Sequence, residues 1–349
     1  MVRRRSSFPP LRAPAPPSHE ALAAEVDQFQ ALQHTLLERW QHLTDIDEQP
    51  KDVVIIPSLS LDGLPMANIP GITHYEERML FTLSLLRHPR AHLVYVTSQP
   101  LHPATIDYHL SLLQGIPTAH ARERLTLLAT YDGSPRTLTE KILERPRLLE
   151  RIRRAIDPGN AHMTCFTVSR LERTLAVKLG IPLYGIDPSM LRHGTKSGSR
   201  RVFAQAGISF PPGVEDVHDE QDVVRAVGEL WERDPALERV VVKHDQGFSG
   251  EGNAVLDLRP LADVKPSGAG GASTRRARLT DALRDMRMTG SFPTWAAFGG
   301  ELVRMGGVVE AFVEGATKRS PSGQLRITPL GELECVSTHD QLVGRDTFE

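Results

Sequence analysis

From His19 to His42 the apolar residues Leu22, Val26, Phe29, Leu32, Leu36, Leu37 and Trp40 recur every three or four positions. That spacing predicts an amphipathic helix with one face turned to a core. Val53-Val54-Ile55-Ile56-Pro57 is a short, wholly apolar run and reads as a buried strand. After a Gly/Pro-rich turn come a helix starting near Tyr75 with Met79, Leu80, Leu83 and Leu86, a strand at 91–96 and a helix at 105–113. The alternation continues with a strand at 125–129, one charged helix over 135–156, a strand at 163–168, a helix at 172–179 and the run Leu183 to Ile186. Buried strands alternating with helices predict a parallel, doubly wound α/β domain of Rossmann-like type that closes near residue 190.

Beyond Thr195 the pattern changes. A helix over 196–206 stops at Gly207, a second helix spans 220–233, and Val240-Val241-Val242-Lys243 reads as a strand. The Gly/Ser stretch 267–273 is a flexible insertion, two further helices follow, and residues 308–315 read as a strand carrying Glu310 and Glu314. Residues 324–336 predict a hairpin turning at Leu330-Gly331. The expected organisation is an arm at 1–17, an α/β domain at 18–190, an α+β nucleotide-binding region at 191–314 and part of a core at 315–349. No internal repeat is present.

Composition excludes several classes of function. A chain of 349 residues with 40% hydrophobic content is long enough for more than one core. Its net charge of −2 supplies no general field for polyanions, so nucleic-acid and membrane binding gain no support. Met1 to Pro10 is basic like a signal peptide, but prolines replace the apolar segment, and no 18-residue apolar run occurs. Five prolines within 1–17 argue for a disordered arm. Cys165 and Cys335 show neither CxxC spacing nor a disulfide framework, which points to a reducing cytoplasm. The histidines offer no zinc spacing in a convincing helix, and no GxSxG elbow accompanies the serines.

The candidate chemistry lies in Lys243 and the loop after it, His244-Asp245-Gln246-Gly247-Phe248-Ser249-Gly250-Glu251-Gly252-Asn253. A strand holds an ammonium rigidly, while glycines let backbone N–H groups approach an anion unobstructed. Taken alone, such a lysine is usually an ordinary strand end, and glycine-rich loops are common. A second lysine, in Gly194-Thr195-Lys196-Ser197-Gly198-Ser199-Arg200, changes that balance, because two ammonium groups on separate elements can grip one triphosphate. The strand Glu310-Ala311-Phe312-Val313-Glu314 could offer backbone groups to an adenine edge and a carboxylate to a ribose. With equal ease its two glutamates could be solvent-facing residues of a two-faced strand.

In this order, the lysine-bearing turn, Gly207-Ile208 with Pro211, the lysine strand with its glycine loop, and Val309-Glu310 with Val313 and Gly315 resemble the ATP-grasp superfamily. Its members activate a carboxylate as an acyl phosphate and pass it to an amine. The closer likeness is to the pheganomycin-type peptide ligases with their pre-ATP-grasp domain. It rests on His74-Tyr75-Glu76-Glu77-Arg78, Tyr95-Val96-Thr97-Ser98-Gln99-Pro100, Ser134-Pro135-Arg136 with Thr139-Glu140-Lys141, the two glycine phrases, and Ser337-Thr338-His339-Asp340-Gln341. The resemblance implies ATP as cofactor, with Lys196 and Lys243 on its phosphates and the loop from Gly247 through Phe248, Ser249 and Gly250 to Gly252 as a cover. It also implies Glu310 with the Ala311 to Val313 backbone at the adenine, Glu314 near the ribose, and Arg326, on an inward-facing hairpin position, holding a substrate carboxylate or the γ-phosphate.

Magnesium belongs to the same implication, but the family's ligands lie in an acidic strand followed by Glu-x-Asn. After Asp340 the sequence runs only from Gln341 to Glu349 and lacks that pattern. The expectation is therefore an ATP-grasp core incomplete at its C-terminus, with the metal ligands unassigned. Two functions follow: an ATP-dependent carboxylate–amine (peptide-forming) ligase acting on small-molecule substrates, or a truncated, inactive ATP-binding remnant with a regulatory or partner-binding role. A nicotinamide or glycosyltransferase site on the first sheet is disfavoured, since no GxGxxG follows Val53 to Pro57.

Overall fold

Among the described residues two five-stranded sheets and a separate hairpin carry the architecture, with helices packed on the sheets. The computed structural model describes residues 18–41, 51–60, 71–247, 252–266, 271–289, 292–315, 317 and 319–342. The basic arm at 1–17, the cover residues Phe248, Ser249, Gly250 and Glu251, most of the Gly/Ser insertion and the last seven residues lie outside them.

The first sheet is the parallel, doubly wound one. Strands β1 (Lys51–Ile56), β2 (Ala91–Thr97), β3 (Leu125–Ala129), β4 (Ala161–Cys165) and β5 (Leu183–Tyr184) are ordered β3-β2-β1-β4-β5, every pair parallel. The apolar run of β1 is buried on both faces. Val53 and Ile55 pack with Met79, Leu83 and Tyr95, while Val54 and Ile56 belong to the opposite cluster with Ile142, Leu149 and Leu175. Helix α1 (His19–Gln41) closes that second side by burying Phe29. Its Gln33 side chain donates to the Leu183 carbonyl and accepts from the Leu183 N–H, both at 2.8 Å.

Helix α2 (Pro103–Ser111) and the short α3 (Thr118–Glu123) link β2 to β3. Residues 72–87 form a continuous 3-10 helix where an α-helix from Tyr75 was expected; it buries Met79, Leu80, Leu83 and Leu86 as the apolar spacing implied. The single helix expected over 135–156 is two, α4 (Leu138–Leu143) and α5 (Pro146–Arg154). Pro146 is the cause: the residue before a proline is excluded from helical geometry, and Arg145 sits at φ −119°, ψ 81°. Helix α6 (Arg170–Leu179) starts with a capping box from Ser169 and Glu172 and ends at Gly180 in the left-handed region, φ 72°. The crevice above β1 and β4, where the strand order reverses, is filled by protein. Glu172 there accepts from Ser60 Oγ at 2.5 Å, Thr139 Oγ1 at 2.6 Å and Ser169 Oγ at 2.6 Å.

The second half holds the short α7 (Leu191–Gly194), then α8 (Lys196–Gln205), β6 (Gly213–Val217), α9 (Glu220–Arg233), β7 (Arg239–His244), β8 (Asn253–Asp257), α10 (Ala272–Ala282), β9 (Arg287–Met288), α11 (Trp295–Met305) and β10 (Gly307–Ala311). Its strands pair antiparallel in the order β6-β10-β7-β8-β9. Val240, Val242, Ala254, Leu256 and Val309 point into a core with Trp231, Leu302 and Phe298, supplied by α9 and α11. The β-period of two therefore turns Val241 and Lys243 to the other face. A two-stranded sheet of β11 (Ser320–Ile327) and β12 (Leu333–Gln341) stands apart, its turn carrying Gly331 at φ 80°. The hairpin expected at 324–336 is longer on both arms.

Gly198, in the first turn of α8, has no room for a side chain: a Cβ there would lie 1.8 Å from the Arg192 carbonyl oxygen. Gly198→Ala should destabilise this half by about 1–3 kcal/mol. Gly228→Ala, in α9 with open space around it, should instead stabilise by about 0.4–1 kcal/mol. Urea unfolding followed by the fluorescence of Trp231 and Trp295, both in the second core, checks the opposite signs.

Candidate functional site

The outward face of β7 and β10 sets the site. In the antiparallel register Lys243 stands opposite Val308 and Val241 opposite Glu310. Lys243 and Glu310 are thus diagonal neighbours on one face, within reach of long side chains. Lys243 Nζ lies 2.5 Å from Glu310 Oε2, and Arg200 Nη1 donates to the other oxygen, Oε1, at 2.8 Å. Arg200 comes from α8, which covers this face, and is held further by Glu215 at 2.6 Å and the Pro211 carbonyl at 2.8 Å. The guanidinium fits because residue 213 is glycine; a Cβ there would lie 2.7 Å from Arg200 Nη2 and 2.7 Å from the Val309 carbonyl oxygen.

Lys196 enters from the first residue of α8. Thr195 caps that helix, its Oγ1 accepting from Gly198 N at 3.0 Å. Asp245, just past β7, accepts the next two N–H groups: Lys196 N donates to its carbonyl at 3.1 Å and Ser197 N to its Oδ1 at 2.8 Å. These bonds tie the helix start to the strand end. Lys196 Nζ then reaches the Gly247 carbonyl at 2.8 Å. Burial holds the Lys196 ammonium below the usual lysine range, and the nearby charge of Lys243 lowers it further against the pull of Asp245 and Glu310. Burial pushes Glu310 up, but Lys243 and Arg200 outweigh it and leave the carboxyl below its ordinary value. The two lysines expected as a pair are brought together.

His244 anchors the same strand end. Its Nε2 is 3.0 Å from the Phe298 carbonyl, its ring stacks on Phe298 at 3.9 Å, and burial lowers its pKa. Gly252 sits at φ 76° against that ring, where a Cβ would be 2.8 Å from His244 Nδ1. This glycine is required by packing as well as by its backbone, whereas the sequence reading gave it only an approach to phosphate. Gly247 contributes its carbonyl to Lys196. The cover residues Phe248, Ser249 and Gly250 fall outside the described residues.

Three expectations are corrected. The strand expected to reach Gly315 ends at Ala311, and β10 lies between β6 and β7 rather than at an edge. The N–H groups of Ala311 and Phe312 are already donated to the Pro212 and Arg239 carbonyls, at 2.8 and 3.1 Å. Val313, beyond the strand, is 67% exposed. Glu314 forms a two-pronged pair with Arg239, 2.7 Å at Nε, at the opposite end of β7 from Lys243. Four residues of strand separate them, about 13 Å. Arg326 does not face inward: it lies exposed on the separate two-stranded sheet, pairing with Glu334 at 2.7 Å through Nε. A two-stranded sheet has no buried side to select its orientation. Arg200, Ser197, Asp245 and His244 were not singled out, although all four lie inside or beside the two glycine phrases. For Gly213 no sequence signal existed.

Among the described residues no three His, Cys, Asp or Glu side chains gather where they could hold a metal ion. The donor set for magnesium is not assembled there, and Asp340 is exposed on β12.

Residues 190–269 and 275–349 match the family described as IQCH-like, ATP-grasp. The chain is 25% identical over 362 aligned positions to IQ motif-containing protein H of Danio rerio, covering 93% of this chain and 34% of that protein. It is 30% identical over 314 positions to the L-propargylglycine–L-glutamate ligase of Streptantibioticus cattleyicolor, covering 87% of this chain and 60% of the ligase. The chain thus spans about a third of the first relative and three fifths of the second. Among solved structures, an ADP complex of N5-carboxyaminoimidazole ribonucleotide synthetase aligns with TM-score 0.43 at 10% identity, over 87% of this chain and 57% of that one. D-alanyl-alanine synthetase A of Vibrio cholerae aligns with TM-score 0.40 at 10% identity, over 86% and 69%.

Replacing Glu310 by Gln removes the charge that Lys243 and Arg200 share, and should cost about 1–3 kcal/mol, since Arg200 keeps Glu215. The sign with pH follows from the depressed carboxyl. Its contribution is complete above the unfolded value of about 4.3 and is lost as pH falls through the lower folded value. The difference in thermal midpoint between wild type and Glu310→Gln should be constant from about pH 6 to 8 and shrink below about 4.3. A gap unchanged at the acid end would contradict the pairing.

Proposed function

The second half of this chain belongs to the ATP-grasp superfamily, and from that footing we propose that the protein is an ATP-dependent carboxylate–amine ligase that forms a peptide bond between small molecules through an acyl phosphate. The observation that carries the reading is that a helix start and a strand end bring two ammonium groups to one place: Lys243 pairs with Glu310 at 2.5 Å, Lys196 holds the Gly247 carbonyl at 2.8 Å, and the charge of Lys243 lowers the Lys196 pKa. Two cations in a half-buried place need anions beside them, and a triphosphate can meet both at once where Glu310 meets only Lys243. The ligase relative from Streptantibioticus, whose name states a union of two amino acids, supports the same class of chemistry.

In this proposal Lys196 and Lys243 bind the phosphates as point charges, and the loop from Gly247 to Gly252 closes over them to exclude water. Glu310 holds Lys243 in position. The backbone after Ala311, Val313 included, takes the adenine, with Glu314 toward the ribose. ATP supplies the activating phosphoryl group. No helix among the described residues is long and apolar enough to cross a membrane. We place the protein in the cytoplasm on the strength of its free cysteines, Cys165 and Cys335.

Calorimetric titration of ATP in a magnesium buffer should give a saturable isotherm with wild type, and Lys243→Ala should weaken it at least tenfold, about 1.4 kcal/mol. Release of ADP should then depend on adding a pair of amino acids or dipeptides. ATP binding of equal strength in Lys243→Ala and Lys196→Ala would remove the nucleotide assignment. Intact binding without ADP release for any pair would remove the ligase.

A further inference from the structure

Three of the phrases in the first half of the sequence, Tyr75-Glu76, Ser98-Gln99 and Ser134-Pro135-Arg136 with Lys141, have no part in the lysine-pair site. They meet around one cavity of about 230 Å³. It opens at the carboxyl ends of β1, β2 and β3, the side on which open α/β sheets receive ligands. The neighbouring crevice over β1 and β4 is already filled by Glu172 and its hydroxyl partners. At ~300 Å³ pockets begin to take drug-sized molecules, so this cavity is too small for a nucleotide and suits a molecule of amino-acid size.

Its polar wall carries both signs of charge. Lys141 is 3% exposed and its Nζ donates to Ser98 Oγ at 2.9 Å. Glu76 accepts from the same Ser98, from Oγ at 2.5 Å and from the backbone N–H at 2.5 Å. One hydroxyl therefore stands between an ammonium and a carboxylate, holding them close without joining them. An ammonium has three donors and Ser98 takes one. Arg136 lines the mouth, its side chain partly exposed and one guanidinium nitrogen paired with Glu144, which leaves its other donors for a ligand. The Ser134 hydroxyl is buried in the wall, near the Asp132 carboxylate, without an aligned hydrogen bond. Leu59, Ile72, Tyr75 and Leu138 make the remainder apolar.

A simple anion would leave Glu76 repelled, and a simple cation would face Lys141 and Arg136. We propose that this cavity binds a free α-amino acid, its carboxylate received by Lys141 and Arg136, its ammonium by Glu76, and its side chain by the apolar wall. The inference stands on the first half alone and does not need the ligase reading.

The test is a calorimetric or saturation-transfer screen of the full chain against the free L-amino acids, repeated with the N-acetyl and the amide form of each binder. A subset of free amino acids should bind, and blocking either end should weaken binding at least tenfold. Lys141→Met should abolish binding. Arg136→Gln, a surface change that leaves folding intact, should weaken it several-fold, while Lys243→Ala should leave it unchanged. No binding by any free amino acid, equal binding of the blocked forms, or indifference to Arg136→Gln would overturn the proposal. Binding lost in Lys243→Ala but kept in Arg136→Gln would place the amino acid elsewhere and overturn it too. Parallel ATP titrations keep the two readings apart, because loss of one type of binding with the other intact sinks only its own proposal.

Discussion

Two lysines from separate elements, held near each other by neighbouring carboxylates, are the constraint on which the second half of the molecule turns. Like charges brought together in a half-buried place repel, and the charge of Lys243 lowers the Lys196 pKa accordingly. The structure offsets this with carboxylates: Glu310 contacts Lys243 directly, and Asp245 binds the backbone at the helix start that carries Lys196. Glu310 is itself buried and needs the second cation, Arg200, to remain charged. The arrangement is a chain of dependence in which each charge is kept by the next.

That chain is built by pleat and by missing side chains. Alternation along β7 sends Val240 and Val242 into the core and leaves Lys243 on the face under α8. Register with β10 then puts Glu310 diagonal to it. Arg200 gets in only because Gly213 has no Cβ, and β10 begins against β7 only because Gly307 has none; a Cβ there would lie 2.4 Å from the Lys243 carbonyl oxygen. A side chain at either glycine would displace the charges before it touched any ligand.

The period of apolar residues located the first sheet, most of the helices and two strands of the second sheet, β7 and β10, but not β6, β8 or β9, and local chemistry marked the lysines. What it could not supply were partners distant in sequence: Arg200 and Glu310 are 110 positions apart, and neither residue alone signals the other. The largely apolar run from Val308 to Val313 reads as strand throughout, yet the strand ends at Ala311, and Phe312 carries the Arg239 guanidinium 4.0 Å from its ring centre. The break at Pro146 was available in the sequence and was outweighed by a charged, helix-forming stretch. Arg326 failed differently. On a hairpin with Leu325, Ile327 and Leu333 all exposed, alternation exists but no core tells one face from the other.

The two polar centres differ in how a ligand can enter, and the difference lies in one hydroxyl. At Lys243 the carboxylate touches the ammonium, so an arriving polyanion must share or displace Glu310. Displacement does not strand Glu310, because Arg200 stays bound to its other oxygen; a carboxylate with one fixed partner can release the second at far lower cost than a carboxylate with one partner in all. At Lys141 the hydroxyl of Ser98 stands between the charges, so a molecule carrying both signs can be received without breaking a contact. A site of the first kind favours ligands of high charge, which compete with an ion pair. A site of the second kind favours small zwitterions, which have nothing to expel.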